Sequence, residues 1–256
     1  MNAQFWNISV SAIYENAVDS LRIGFQFFKQ ENSYSSRKHA ILTVFHALEL
    51  FLKDRLFQTN PILIYKNIDA KITDDSTTVG MREILIRFEN IGVQLPSGQV
   101  KTIERLQKIR NRIEHHWYDH NEREDDRIIA EALKVILYFV EFVLEKKLAE
   151  VMSAELLSEM QARVFEYNER TFLADLRLEE WMKRQWPDWN PMESDCDDFR
   201  GTHDCPICHQ TFLVIGYHDR PYCFHCNVPV DAAVCENCGR SYLFKDGCCE
   251  TEEAQD

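Results

Sequence analysis

Residues 107 to 118 read QKIRNRIEHHWY, an Arg-Asn pair followed within six positions by two adjacent histidines. These residue types suit acid–base chemistry on an anionic group. An imidazole with an unperturbed pKa of about 6.5 exchanges protons near neutral pH, and a guanidinium holds an oxyanion through paired hydrogen bonds. On a helix Asn111 and His115 lie one above the other, as do Arg112 and His116. Arg110 lies about 140° round the cylinder from His115 at roughly 100° per residue, so only its long side chain could close the gap. One helix is therefore a strained platform for the whole group. Two copies meeting about a two-fold axis would each supply an Arg, an Asn and a His to one cleft. The plainer reading is a frayed polar helix end, with Arg110 and Glu114 as an i,i+4 pair of small worth.

The second group of reactive residues is cysteine. All nine lie between 196 and 249, in three Cys-x-x-Cys pairs, CPIC (205 to 208), CFHC (223 to 226) and CENC (235 to 238), with Cys196, Cys248 and Cys249 besides. A two-residue gap lets both cysteines of one tight turn face the same ion, and four thiolates satisfy tetrahedral zinc. Cys205, Cys208, Cys223 and Cys226 thus read as a zinc-ribbon site. A second site is open in its ligands. Cys235 and Cys238 would be completed by Cys248 and Cys249, or by one of His203, His209, His218 and His225; a cross-braced pairing of 205/208 with 235/238 is the other arrangement. Four thiolates leave no position for water, so the zinc expected here is structural.

Composition narrows the class. The chain has 256 residues, 45% hydrophobic and 12% aromatic, with only 8 Gly and 7 Pro, which excludes a collagen-like or largely disordered chain. Net charge is −13, which argues against a surface that clamps nucleic acid indiscriminately. Much of it is local, because residues 191 to 256 carry 13 acidic and 4 basic side chains. The N-terminal stretch has no basic side chain before Arg22, and the most apolar run, VILYFVEFVL (135 to 144), contains Glu141. Neither an export signal nor a membrane span is expected, and the cytoplasm is the expected location. A cysteine cluster without an export signal favours metal over disulfides.

The elements that must position these groups read as helices. Ile13, Ala17, Leu21, Phe25 and Phe28 make one stripe near 9 to 31. A second helix starts at a capping Ser near 36 and runs to about 57. Residues 58 to 78 read as a loop with a short strand at ILIY (62 to 65), broken by Pro61. Helix is expected again at about 79 to 90 and 100 to 117. A fifth helix starts after DHNERED and runs through RIIAEALKVILYFVEFVLEKKLAEV, and a sixth extends from Ser153 to about Trp186. The expected fold is an all-α, antiparallel helical bundle over 1–150, an additional long helix over 151–186, a linker over 187–203 and a small Cys-rich zinc-ribbon module over 204–256.

Arg110-Asn111 followed by His115, with His116 also within the permitted spacing, resembles the Arg-x(4 to 6)-His motif of the HEPN superfamily of helical RNases and nucleotide-binding proteins. HALELFLKDRLF (46 to 57), with Glu49 and Lys53 among leucines, resembles an early helix of that superfamily. The resemblance covers about residues 5 to 150. It implies a bundle that dimerises through the motif helix and cuts RNA, transfer RNA included, without a metal, leaving 2′,3′-cyclic phosphate ends. It also implies a toxin or phage-defence setting with an antitoxin or defence partner protein. The alternative it leaves open is a non-catalytic scaffold or adaptor that uses the zinc ribbon to recognise RNA or a partner. Glu49 and Lys53 read more simply as an ion pair than as catalytic groups.

Overall fold

The computed structural model describes residues 10–30, 32–73, 75–185, 202–208, 210–217, 220–234 and 241–243. Among them are six α-helices: α1 (Val10–Lys29), α2 (Tyr34–Thr59), α3 (Met81–Asn90), α4 (Ser97–His115), α5 (Glu122–Tyr138) and α6 (Ala154–Gln185). Six short strands follow: β1 (Thr202–His203), β2 (Leu213–Tyr217), β3 (Arg220–Cys223), β4 (Val228–Pro229), β5 (Ala232–Val234) and β6 (Ser241–Leu243). Two compact units result, Met1–Val164 and Phe165–Asp256. The chain is thus a helical bundle and a small antiparallel β region. No helix among the described residues is long and apolar enough to cross a membrane.

In the first unit α2 is the central element. It buries side chains around its whole circumference, from Ala40, Ile41, Val44 and Phe45 through Leu48, Phe51 and Leu52 to Leu56 and Phe57, the pattern of a helix enclosed by neighbours. Tyr14 meets Phe51 and Gly24 meets Val44, so α1 runs antiparallel to α2. Gly24 is required for that approach, because a Cβ there would lie 2.7 Å from Val44 Cγ2 and 2.9 Å from the Val44 backbone nitrogen. Phe88 of α3 stacks on Phe139 just beyond α5, with ring centres 5.9 Å apart. Arg37 of α2 pairs with Asp126, and Asp54 of α2 with Lys146, so α5 and its extension run in the same direction as α2. Ser33 caps α2 by accepting from the Ser36 amide, which starts the helix slightly earlier than the Ser near 36 suggests.

Two expectations from the sequence need correction. ILIY is not a strand: Pro61–Ile64 forms a 3-10 turn, because Asn60 Oδ1 accepts from the Ile62 amide and Pro61 suits the first helical position. Among the described residues there, strand-like pairing is confined to the isolated bridge between Tyr65 and Thr78. The fifth helix does not run unbroken to Val151. It ends at Tyr138 in a π-helical turn over Phe139–Val143, Glu145 adopts φ 55°, and Leu148–Glu150 forms a 3-10 turn. The Lys146 amide bonds back to the Val140 carbonyl at 2.9 Å, a tight reversal that brings Lys146 Nζ within 3.0 Å of buried Asp54. Lys146 also lies 3.8 Å from the centre of the Tyr14 ring, and burial together with the Asp54 and Glu150 charges pushes the Tyr14 phenol up to about 12.

The break between units falls within α6. Its early residues Leu157, Met160 and Val164 belong with the helical core, whereas Ala174, Leu178 and Met182 belong to the small core of the second unit. In that second unit the order is β1-β2-β3-β4, all antiparallel, and β5 pairs with β6. Leu213, Val214 and Phe224 fill the core of the ribbon.

Candidate functional site

Ile103, Leu106, Ile109 and Ile113 are buried and set the rotation of α4. Consequently Asn111, Glu114 and His115 face solvent at its C-terminal end and Arg110 is half-buried. Arg110 Nη1 donates to Asn111 Oδ1 at 3.1 Å and pairs with Glu114 Oε2 at 2.8 Å. Its guanidinium lies 6.0 Å from the centre of the Phe45 ring. His115 Nε2 is 3.8 Å from the same Glu114 oxygen, and its side chain is 68% exposed. The five-residue offset between Arg110 and His115 is thus bridged by Glu114, which receives the guanidinium and faces the imidazole. His116 occupies the C-cap, its amide bonded to the Arg112 carbonyl, and its side chain is exposed. Arg112 turns away to stack over Trp117 at 5.1 Å.

Lys53 Nζ lies 2.6 Å from Glu49 and 3.0 Å from the Thr78 hydroxyl. Those contacts engage the ammonium and tie the loop before α3 to α2. Glu49 and Lys53 are a satisfied pair.

A second polar group lies on the connection from α4 to α5. His120 Nδ1 is 2.6 Å from Asp125 Oδ2, and the Asp125 side chain is essentially fully buried. Tyr118 packs against Tyr34 of α2 with ring centres 5.0 Å apart, and Arg37 pairs with Asp126 at 3.2 Å. Burial raises the Asp125 carboxyl above its ordinary range, against the lowering influence of Tyr118, His120 and Arg37. Burial, then the adjacent Asp125, holds the Tyr118 phenol far above its usual value. The sequence reading did not single out His120. Its only signal was a histidine immediately before the capping Asn121, five residues ahead of an Asp in the first turn of α5.

In the second unit CPIC lies on the turn between β1 and β2, and CFHC begins at the last residue of β3. The four sulfurs of Cys205, Cys208, Cys223 and Cys226 lie within 4.8 Å of one another. Cys205 and Cys226 are 4.0 Å apart and Cys208 and Cys223 3.6 Å. Zinc–sulfur bonds of about 2.3 Å in a tetrahedron place sulfurs roughly 3.8 Å apart, whereas a disulfide needs about 2.05 Å. The donor set is therefore compatible with one zinc ion. The Cys226 amide donates to Cys223 Sγ at 3.3 Å, a contact that favours thiolate. Hydrogen bonds from Cys208, Cys223 and Cys226 lower the Cys205 thiol, and the same crowding raises Cys226. A zinc ion held by these four cysteines would favour the thiolate form of all of them.

Cys196, Cys235, Cys238, Cys248, Cys249, His209 and His218, most of the ligands expected for a second metal, lie outside the described residues. His203 and His225 are described, and neither belongs to a metal-sized cluster among the described residues. His225 instead stacks on Phe212, with ring centres 5.9 Å apart. No protein-family model matches this sequence, and no curated protein or solved structure is significantly similar to it.

Proposed function

We propose that this chain is a metal-independent endoribonuclease of the HEPN type, acting as a homodimer through α4. The observation that carries the reading is the exposed His115 beside an Arg110 guanidinium braced by Asn111 on one helix end. A phosphodiester entering this group would exchange places with the Glu114 carboxylate, leaving Arg110 to hold two phosphate oxygens. One copy's His115 takes the proton from the ribose 2′ hydroxyl as that oxygen attacks phosphorus. The other copy's histidine protonates the 5′ oxygen as its bond to phosphorus breaks. The products are a 2′,3′-cyclic phosphate and a 5′ hydroxyl. Asn111 orients the guanidinium, and His116 also falls within the motif's Arg-x(4 to 6)-His spacing.

Zinc held by Cys205, Cys208, Cys223 and Cys226 would supply structure and no chemistry, its coordination being complete. A cytoplasmic toxin or phage-defence effector, cutting transfer RNA or another defined RNA and restrained by a partner protein, is the setting that fits this reading.

The Arg110–Glu114 pair also favours a second reading, in which the guanidinium is already satisfied and the helix end serves a non-catalytic scaffold. The two separate in one experiment. Purified protein is incubated with total RNA and transfer RNA in magnesium-free buffer beside His115→Ala, and product ends are mapped. Cyclic-phosphate ends that vanish in the variant support the nuclease. Intact RNA with folded, dimeric wild-type protein supports the scaffold.

A further inference from the structure

Within the second unit, the last turns of α6 and the ribbon enclose a cleft of about 210 Å³. That is below the roughly 300–1,000 Å³ of a pocket for a drug-sized ligand, and it suits one planar ring system with its immediate substituent. Three aromatic side chains line it: Trp181 from α6, and Tyr222 and Phe224 from the ribbon. Tyr222 and Phe224 meet edge to face at 5.4 Å, and Trp181 lies 6.4 Å from Phe224. Two guanidiniums, Arg177 and Arg184, lie at the same cleft.

The polar groups are held in place. Asn227 adopts φ 57°, a left-handed conformation that asparagine tolerates better than most residues. Its Oδ1 accepts from Arg177 Nη1 at 3.0 Å and from the Tyr222 hydroxyl at 3.1 Å. Those bonds leave the Asn227 amide NH2 as a donor and bring the Arg177 guanidinium to the aromatic wall. Glu180, paired with Arg184, adds a carboxylate at the same opening.

This chemistry selects among ligands. An aromatic wall can stack any flat ring or cage an alkylammonium, but Arg177 and Arg184 outnumber the single Glu180 at the opening, and that net positive charge disfavours a cation. An acidic peptide would meet the arginines, yet it would bring no ring for the aromatic wall. A nucleotide answers all three features: the base stacks, its edge meets the Asn227 donor or the Glu180 acceptor, and its phosphate meets a guanidinium. We propose that this cleft is a binding site for one unpaired nucleotide of single-stranded RNA, placed apart in sequence from the Arg110–His115 group. The proposal rests on the reading that the chain handles RNA, and it assigns part of substrate capture to the zinc-ribbon unit.

The test measures binding by anisotropy of fluorescein-labelled single-stranded RNA, using full-length zinc-loaded protein carrying His115→Ala so that no strand is cut. Adding Trp181→Ala is expected to weaken binding about tenfold or more, the loss of one base stack. Trp181→Phe should retain most of the affinity, which separates stacking from a failure to fold. Arg177→Gln, at an exposed position, should reduce the salt slope by about 0.7, one phosphate contact on a single strand. Nucleoside monophosphate should compete where inorganic phosphate at the same concentration does not. RNA affinity indifferent to Trp181→Ala and Arg177→Gln would overturn the proposal. So would tighter binding of acidic or lysine-methylated peptide than of RNA, or no RNA binding at all. Cleavage plays no part in this readout: loss of the nuclease reading with binding that needs Trp181 leaves the cleft standing, and cleavage with indifferent binding removes it.

Discussion

In residues 10–164 whole aromatic and aliphatic side chains disappear from solvent: Phe25, Phe51, Phe88 and Phe139, with Leu48 and Leu52 between them. In the described part of the second unit the buried set is shorter, Ala174, Leu178, Met182, Phe212, Leu213, Val214, Phe224, Val230 and Ala232, with Cys205, Cys208 and Cys223 among them. The first unit closes mainly on apolar area, with a few buried ion pairs set into it. The second has a smaller core in its described part, and its four sulfurs sit where a metal would join two pieces of chain, the CPIC and CFHC turns. Stability in the two halves should therefore answer to different agents.

The largest effect expected is on the ribbon. A structural zinc contributes about 10–16 kcal/mol of apparent binding free energy near neutral pH, so a strong chelator, or Cys223→Ser, should abolish hydrogen-exchange protection in 202–234 while α1 to α5 keep theirs. Equal loss of protection in both units would break the contrast. Next in size, Phe51→Ala should cost the helical unit about 3–5 kcal/mol, through lost burial and the cavity left behind. Urea unfolding followed by circular dichroism measures that loss, and the zinc content of the variant should not change.

A smaller and pH-dependent effect is expected at Asp54. Its carboxyl lies above the ordinary range because burial outweighs the hydrogen bonds and charge of Lys146 and the bond from Gln58. A raised folded pKa means that the folded state holds the proton more tightly than the unfolded chain. The ionised carboxylate therefore costs stability as pH rises through that raised value, and the cost is absent below the ordinary carboxylate range. Lys146→Met leaves the charge uncompensated and should lose about 3 kcal/mol near neutral pH. Part of that loss should return on acidification through the raised Asp54 value. A difference between variant and parent that stays flat with pH would show that Lys146 acts through packing alone.

The smallest stability effect, and a sharper functional one, belongs to Glu114. Removing an exposed i,i+4 partner costs under about 0.5 kcal/mol, so Glu114→Gln should melt with the parent. If phosphate displaces this carboxylate from Arg110, the variant should bind RNA more tightly and cleave it at lower substrate concentration. Unchanged RNA affinity and cleavage would favour the scaffold reading of the same helix end.

Much of this organisation is legible in the residues themselves. The stripes in α1 and α4 and the two-residue gaps of the first two cysteine pairs depend on spacings of a few residues, which a helix or a tight turn converts directly into a common face or a common ion. The same locality explains why Arg110, Asn111 and Glu114 met as their spacing allows. What spacing could not express was contact between distant segments. Lys146 reaches Asp54 across 92 positions, and that meeting accompanies a π-helical turn where an uninterrupted helix was expected. The cleft of Arg177, Trp181 and Asn227 exists only because α6 and the ribbon share one unit. His120 became notable only once Asp125 was seen to be buried. Sequence determines which side chains are available and which local face they share; tertiary structure decides which charges lose water, because that depends on every element packed around them.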